Sequence, residues 1–237
     1  MSHKEVQRCV DLYDEEIAYT DYWVGRLLDY VNAMEPKSER PPLVVLVADH
    51  GEVLGEHQDL PLHYGFGHGD VVYSENASVP LIISRPGLIR PTVVGGVAEL
   101  VDLAPTLVDY VFDRHDFVCQ GKDLRPAIEG REPMDDTGVI QRSARAEGAR
   151  RYRFEPSYAL YRGHDQLRVY ANGSTALSNP LVDPKEILDF GPFMPELSAD
   201  LNARFNTWKT NTPETKPKAP TLTPEETSRL RALGYIQ

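Results

Sequence analysis

The residues best suited to chemistry in this 237-residue chain begin where an apolar run ends. Residues 43–48 predict a strand, and Asp49, His50 and Gly51 follow it directly. Ligands of open α/β sheets bind beyond the carboxyl ends of the strands. Asp49 offers a hard oxygen ligand and His50 a nitrogen ligand, so the pair is a candidate site for a divalent cation. In the competing interpretation, Asp49 caps the next segment and His50 is an ordinary loop residue.

A second candidate, His68, lies between two glycines in the same region. Such a histidine can donate a hydrogen bond to an anionic oxygen or transfer a proton, although a plain surface histidine fits the loop as well. His57 and His63 share this loop. No pair among these histidines has the helical i, i+4 spacing, and no cysteine joins them, so an all-histidine zinc site is not predicted.

Conventional nucleophiles are poorly represented. Cys9 lies in an acidic segment, which lowers the reactivity of a thiol, and Cys119 has only Lys122 nearby. The sequence contains no Gly-x-Ser-x-Gly elbow, no Walker motif and no Gly-x-Gly-x-x-Gly fingerprint. Nucleophilic catalysis by these 237 residues is therefore not expected.

The elements that must position these residues alternate between helix and strand. A 3.6-residue apolar period predicts a helix over residues 10–34, and a second buried strand is expected at residues 79–83. Residues 51–70 read as a long loop, and a helix is expected over residues 99–112, with Asp102 as its cap. This order indicates an α/β fold with a mostly parallel buried sheet.

The character of the sequence changes after residue 130. A hairpin is expected around residues 162–165, followed by a helix over residues 197–208, a proline-rich linker at residues 210–222 and a short helix that ends at Gly234. We therefore predict three parts. They are an α/β domain over residues 1–130, a hairpin and helix subdomain over residues 131–209, and a linker with a terminal helix over residues 210–237.

Composition narrows the classes of partner. The net charge of −11 argues against nucleic acid as the main partner, because phosphate binding needs a basic face. No apolar run is long enough to span a membrane, and the first residues lack the apolar core of a signal peptide. A chain complete at residue 1 is expected in the cytoplasm, and the compartment of any longer form stays open.

Seven segments, in this order, together resemble the C-terminal half of a sulfatase of the alkaline-phosphatase superfamily. They are YDEEIAYTDYWVGRLLDYV, LVVLVADHGEVLGEH, HGDVVYSENASVPLIISRPG, GGVAELVDLAPTLVDYV, GKDLRPAIEG, YALYRGHDQLRVY and TPEETSRLRALGYIQ. The resemblance implies part of an alkaline-phosphatase-like sandwich and a sulfuric ester hydrolase acting on a small sulfate ester or a glycan. It implies that Asp49 and His50 hold a divalent metal, calcium first, with manganese or magnesium as alternatives. His68 falls where family members contact the sulfate or the leaving-group oxygen, which makes it both the catalytic and the substrate-binding candidate.

The family's Cys/Ser-x-Pro-x-Arg nucleophile motif is absent from the sequence. Residues 84–88, SRPGL, carry leucine where the motif requires arginine, and the early Asp-Asp metal pair is also missing. The resemblance therefore implies a missing N-terminal half as partner and little activity for this chain alone. Two alternatives remain open: a phosphodiesterase or phosphonate hydrolase on the same fold, and a non-catalytic binding subunit or pseudoenzyme remnant.

Overall fold

The computed structural model describes residues 2–34, 41–57, 66–68, 72–114, 116–141, 156–212 and 223–232. The chain divides into two compact units, Met1–Ala203 and Arg204–Gln237. All candidate site residues belong to the first unit. The predicted three-part division stays a prediction, and most of the predicted linker, residues 213–222, lies outside the described residues together with Gly234 and His63.

In the amino-terminal part of the first unit, the described residues form two helices and four short strands. They are α1 (His3–Met34), β1 (Val44–Val47), β2 (Val53–Leu54), β3 (Phe66–Gly67), α2 (Ser74–Ala77) and β4 (Leu81–Ser84). The strands form two separate two-stranded sheets, β1 with β4 and β2 with β3. The loop that carries Asp49 and His50 lies between β1 and β2 in the chain.

Helix α1 begins seven residues before its predicted start, and none of its residues is buried. Several of its apolar side chains, including Trp23, Leu27 and Tyr30, are at least half exposed to solvent. The 3.6-residue period correctly indicates a helix with an apolar face, but α1 packs only lightly, beside β2. Its apolar face therefore has no cover among the described residues.

The prediction of a mostly parallel buried sheet is wrong for the described residues. Strands β1 and β4 pair antiparallel, with Val44 opposite Ser84 and Val47 opposite Leu81. Leu46 and Ile82 are 38% and 57% exposed, so neither strand is buried on both faces. A run of apolar residues indicates that a strand tends to be buried. It does not indicate whether the strand runs parallel or antiparallel to its neighbour. Among its described residues, the connection between the strands has the four-residue α2 as its one helix, whereas parallel crossovers usually contain a longer helix.

The helix expected over residues 99–112 is confirmed with a different start. A 3₁₀ turn, Leu100–Asp102, leads into α3 (Leu103–Phe112). Buried Asp102 accepts hydrogen bonds from the backbone N–H groups of Glu99 (2.9 Å) and Lys122 (2.8 Å) and makes no side-chain cap bond to α3. It therefore ties the turn to the segment before α4 (Arg125–Ile128).

A four-stranded antiparallel sheet follows, in the order β5-β6-β7-β8. The strands are β5 (Thr137–Gln141), β6 (Pro156–Arg162), β7 (Asp165–Tyr170) and β8 (Thr175–Ser178). The predicted hairpin is confirmed as β6 and β7, with Arg162 paired to Asp165 across the turn. The four-stranded sheet contributes a group of buried apolar side chains to the core: Ala159, Leu160, Leu167, Val169 and Leu177.

Two helices complete the described chain, α5 (Pro195–Asn211) and α6 (Pro224–Ala232). Both agree with helices predicted from the sequence, although α5 extends beyond its predicted ends. Among the described residues, no helix combines the length and the apolar character needed to cross a bilayer.

Candidate functional site

Asp49 and His50 lie just past the end of β1, as the sequence indicates. The backbone N–H of His50 donates to Asp49 Oδ1 at 3.1 Å, which fixes the carboxylate beside the ring. The Nδ1–H of His50 donates to the carbonyl oxygen of Gly51 at 2.9 Å. Because a carbonyl oxygen only accepts, this bond leaves the Nε2 lone pair of His50 available to a metal ion.

The separation between these two side chains fits a shared cation. Asp49 Oδ1 lies 3.6 Å from His50 Nε2. Two ligands that each lie about 2.1 Å from one ion at a near-tetrahedral angle are about 3.5 Å apart. Both side chains are solvent-accessible, so an ion can reach them. The carboxylate oxygen of Asp49 and the imidazole nitrogen of His50 are therefore close enough to bind the same divalent cation.

Gly51 allows the loop to approach α2 closely. Its backbone N–H donates to the carbonyl oxygen of Asn76 at 2.9 Å. A Cβ at this position would lie 1.9 Å from the carbonyl oxygen of Glu75, a distance that no side chain tolerates. Only glycine fits without a shift of the backbone, so the Asp49–His50 loop rests directly on α2.

The β2–β3 ladder brings His68 to the same place. Val53 pairs with Gly67 and Leu54 with Phe66, so the next positions of this antiparallel register are Glu52 and His68. The Nδ1–H of His68 donates to Glu52 Oε2 at 2.8 Å. Since a carboxylate only accepts when ionised, the Nε2 atom of His68 is left for another partner.

The two histidine rings stack on one another. The ring centroids of His50 and His68 are 3.8 Å apart, and the planes differ by 21°. One potential ligand atom from each of His50, Glu52 and His68 lies within 4.8 Å of the others. The structure thus brings together the predicted residues His50 and His68 and adds Glu52, which sequence reasoning missed. The strand tendency of residues 52–54 was a local signal for Glu52. Their pairing with residues 66–68, which brings Glu52 to His68, cannot be seen in the local sequence.

His57, to which sequence reasoning gave no role, is buried beside the site. It is 1% exposed and its Nε2 contacts the carboxylate of Glu75. Its ring stacks on Tyr73, with centroids 4.2 Å apart and planes that differ by 25°. A buried imidazole with a carboxylate partner and an aromatic neighbour holds a fixed position, so His57 ties the long loop to α2.

Comparison with known proteins shows which proteins this chain is similar to in sequence. Residues 2–113 match the family model described as Sulfatase. A multifunctional alkaline phosphatase superfamily protein, PehA of Trinickia caryophylli, is 27% identical over 134 residues, which are 55% of this chain and 24% of that protein. An arylsulfatase of Clostridium perfringens is 28% identical over 135 residues, which are 55% of this chain and 26% of that protein.

A solved structure shows the same fold. The structure of BT4656 in complex with its substrate, D-glucosamine-2-N,6-O-disulfate, aligns with a TM-score of 0.64 and 23% identity. The alignment covers 84% of this chain and 41% of that one. At this identity the match establishes an α/β alkaline-phosphatase-like fold and leaves residue roles open.

Fold and site together define an α/β protein with a candidate metal loop. Through residues 2–113, slightly less than half of its length, the chain is similar to the sulfatase family. The matched segments span about a quarter of the length of the two curated relatives named above. The similarity to sulfatases therefore concerns this part of the fold.

Proposed function

We propose that this chain contributes part of the active site of a metal-dependent sulfuric ester hydrolase. In this proposal Asp49 and His50 hold a divalent cation, and His68 contacts the sulfate group or the leaving-group oxygen. The observation that carries the proposal is the 3.6 Å separation of Asp49 Oδ1 and His50 Nε2, with the His68 ring stacked alongside. The match of residues 2–113 to the sulfatase model supports it.

Each side chain has a distinct part in this chemistry. A divalent cation, when bound, supplies Lewis acidity that stabilises negative charge on the ester oxygens. His50 is oriented by the carbonyl oxygen of Gly51, so its Nε2 faces the ion in a fixed tautomer. His68 is held by Glu52 through Nδ1, which leaves its Nε2 to hydrogen-bond an ester oxygen or to transfer a proton.

The chain is proposed to be inactive by itself. No Cys/Ser-x-Pro-x-Arg motif occurs in the sequence, and neither cysteine is followed by the residues that the motif needs. A residue from another part of the fold must then supply the nucleophile and further metal ligands. That part of the fold is the proposed partner, and the exposed apolar face of α1 is consistent with a surface that needs cover.

The proposed substrate class is a sulfate ester of a small molecule or a glycan. The substrate named for the structurally similar BT4656 is a disulfated glucosamine, which supports a glycan. The proposed metal is calcium, because carboxylate-rich shells suit it, with manganese or magnesium as alternatives. The nitrogen ligand His50 is compatible with manganese, so a direct competition between the ions is informative.

A phosphodiesterase or phosphonate hydrolase is a second candidate. The relative PehA is named a multifunctional member of the alkaline-phosphatase superfamily, so membership alone does not select the sulfate ester. A non-catalytic binding subunit is the third candidate. It differs from the others because it predicts that substitutions at Asp49 and His50 leave metal binding unchanged.

Metal titration tests the proposal on the 237-residue chain. Binding of Mn²⁺ is followed by the loss of its free-ion EPR signal, with Ca²⁺ and Mg²⁺ as competitors. We expect one site, weakened about tenfold or more by Asp49→Ala or His50→Ala. Asp14→Ala and His164→Ala remove an exposed acid and an exposed histidine elsewhere and serve as matched controls. Equal binding by all four variants and the wild type contradicts the proposal.

Hydrolysis separates the two ester classes. The native polypeptide that carries these residues is purified from its source and assayed with an aryl sulfate and an aryl phosphonate. The sulfatase proposal expects a higher kcat/KM for the sulfate, and His68→Ala should lower it by about 10²–10⁴-fold. A preference for the phosphonate selects the second candidate, and no turnover of either by any form of the protein selects the third.

A further inference from the structure

Residues from the four-stranded sheet and the segment after it hold the backbone on which the candidate metal loop rests. Tyr161 Oη and Gln166 Nε2 both donate to the carbonyl oxygen of Val72, at 3.0 Å and 3.1 Å. Glu186 Oε1 accepts the backbone N–H of Ser74 at 2.9 Å, from 112 residues further along the chain. Two of three consecutive backbone positions are therefore bonded to side chains from distant sequence.

The residue between them is held through its ring. The guanidinium carbon of Arg168 lies 5.3 Å from the centre of the Tyr73 ring, a cation–π distance. The same Arg168 donates to the carbonyl oxygen of Glu186 at 2.7 Å. Arg168 and Glu186 are 3% and 1% exposed, so these contacts lie in the protein interior. Burial strengthens each of them relative to the same contact in water.

Glu186 is in an unusual state for a purely structural residue. Its backbone adopts φ +49°, in the left-handed region that non-glycine residues rarely occupy. Its Oε2 atom has no hydrogen-bond partner among the described residues, although the atom is buried. A strained backbone and a buried carboxylate both raise the free energy of the folded state, so the surrounding contacts must over-determine this residue.

The held segment leads directly to the candidate metal loop. Ser74 opens α2, the carbonyl oxygen of Asn76 in α2 accepts the N–H of Gly51, and Gly51 joins His50 to Glu52. His57 adds a second tie through its contact with Glu75. A displacement of Ser74 is therefore transmitted to the His50 loop through the Gly51–Asn76 backbone hydrogen bond and the His57–Glu75 side-chain contact.

We propose that Glu186 is a positioning residue that sets the geometry of the Asp49–His50 loop through Ser74 and α2. The inference rests on the proposed function for the role of that loop, but the positioning itself is a property of the chain. Glu186 touches neither metal nor substrate in this proposal. Its effect is to keep the Gly51 N–H on the Asn76 carbonyl, and thereby to keep Asp49 Oδ1 and His50 Nε2 close enough to share one ion.

Hydrogen exchange and Mn²⁺ binding test the proposal together on the 237-residue chain. Glu186→Ala removes the acceptor for Ser74, whereas Glu186→Gln keeps an acceptor oxygen. Asp189→Ala is the matched control, because Asp189 accepts the N–H groups of Leu177 and Gly191 and makes no hydrogen bond or ion pair with α2 among the described residues. We expect Glu186→Ala to speed exchange of the Gly51 amide about tenfold or more, and Glu186→Gln to restore protection.

Metal affinity is the second readout. Glu186→Ala should weaken Mn²⁺ binding about tenfold. Asp189→Ala should not weaken it, even where it lowers the thermal stability of the chain as much as Glu186→Ala does. If Glu186→Ala does not fold, Ser74→Pro removes the N–H donor of the contact, together with the Ser74 hydroxyl. Proline is tolerated at the first helical position, and the preceding Tyr73 is already extended at φ −72° and ψ 162°.

The outcomes separate this inference from the proposed function. Unchanged Gly51 exchange in Glu186→Ala, or an equal increase in Asp189→Ala, overturns the positioning role whatever the metal data show. If the wild-type chain binds no Mn²⁺ but Glu186→Ala still deprotects Gly51 selectively, the positioning role stands and the proposed function fails. Faster Gly51 exchange with unchanged metal affinity overturns the link between Glu186 and the site.

Discussion

Gly51 is the position where the candidate site tolerates least change. A side chain there would collide with the carbonyl oxygen of Glu75, whereas a Cβ at Gly25 in α1 meets nothing within 4 Å. Gly51→Ala should lower the free energy of unfolding by about 1–3 kcal/mol, because the backbone must move. Gly25→Ala should leave it unchanged or raise it by about 0.5–1 kcal/mol, because alanine favours a helix. Urea unfolding measures both, and equal effects would contradict the close approach.

The buried carboxyl of Glu186 also leads to a prediction about how stability depends on pH. Burial raises the pKa of its carboxyl and Glu75 raises it further, while hydrogen bonds from Ser74 and the charge of Arg168 lower it, with a net upward shift from 4.5. A carboxyl with a raised pKa in the folded state favours folding at acid pH, and this contribution is lost as pH rises through the folded pKa. The neighbouring phenol of Tyr161 titrates far above this range, because its own pKa is raised.

Glu186→Gln removes this titration and keeps the hydrogen bond. The variant should therefore gain stability relative to the wild type between about pH 4 and about pH 7. Urea unfolding at the two pH values gives the difference. A gain that stays constant or shrinks with pH would mean that the folded carboxyl does not have a raised pKa.

The sequence predicted some of the individual site residues but not all of them. Asp49 and His50 follow a recognisable strand, so their place was visible locally. His68 was visible as a histidine between two glycines, and the resemblance to sulfatases implied its role. Glu52 and Glu186 could not be found this way. Glu52 acquires its partner only through the β2–β3 register, and Glu186 meets Ser74 across 112 residues. Local periodicity carries no information about either contact.

Secondary structure elements differ widely in how much they are covered. Leu27 in α1 is 60% exposed, whereas Leu160 in β6 is fully buried. Leu160→Ala should lower the free energy of unfolding by about 2–5 kcal/mol, and Leu27→Ala should change it by less than about 0.5 kcal/mol. The same substitution in the same residue type isolates the effect of burial. Comparable losses at the two positions would show that α1 is covered in solution.

The predicted elements were mostly correct in type, and errors arose where tertiary context decides. The helices and the β6–β7 hairpin have strong local signals, so α1, α3, α5 and that hairpin were predictable. The direction of β1 and β4 was not, because a run of apolar residues is the same whichever way its neighbour runs. The antiparallel pairing leaves Leu46 and Ile82 partly exposed, which an apolar run alone does not indicate.

As a whole, the molecule combines a net charge of −11 with an exposed apolar helix face. Like charges hold copies apart at low ionic strength, and salt screens that repulsion. Sedimentation velocity should therefore show self-association that increases between about 0.02 M and about 0.3 M salt. Leu27→Glu should suppress it, whereas Leu181→Glu, at another exposed leucine, should not. Equal suppression by the two variants would place the contact elsewhere than α1.

The order of the strands in the C-terminal sheet has a consequence for the time course of folding. Strands β6, β7 and β8 are joined by turns of only a few residues, so their pairing closes short loops and is fast. The Ser74–Glu186 hydrogen bond closes a loop of 112 residues and must wait for that sheet. We expect the sheet to be native-like before the Asp49–His50 loop acquires its shape. The ability to capture a metal ion should then be the last property to appear during refolding.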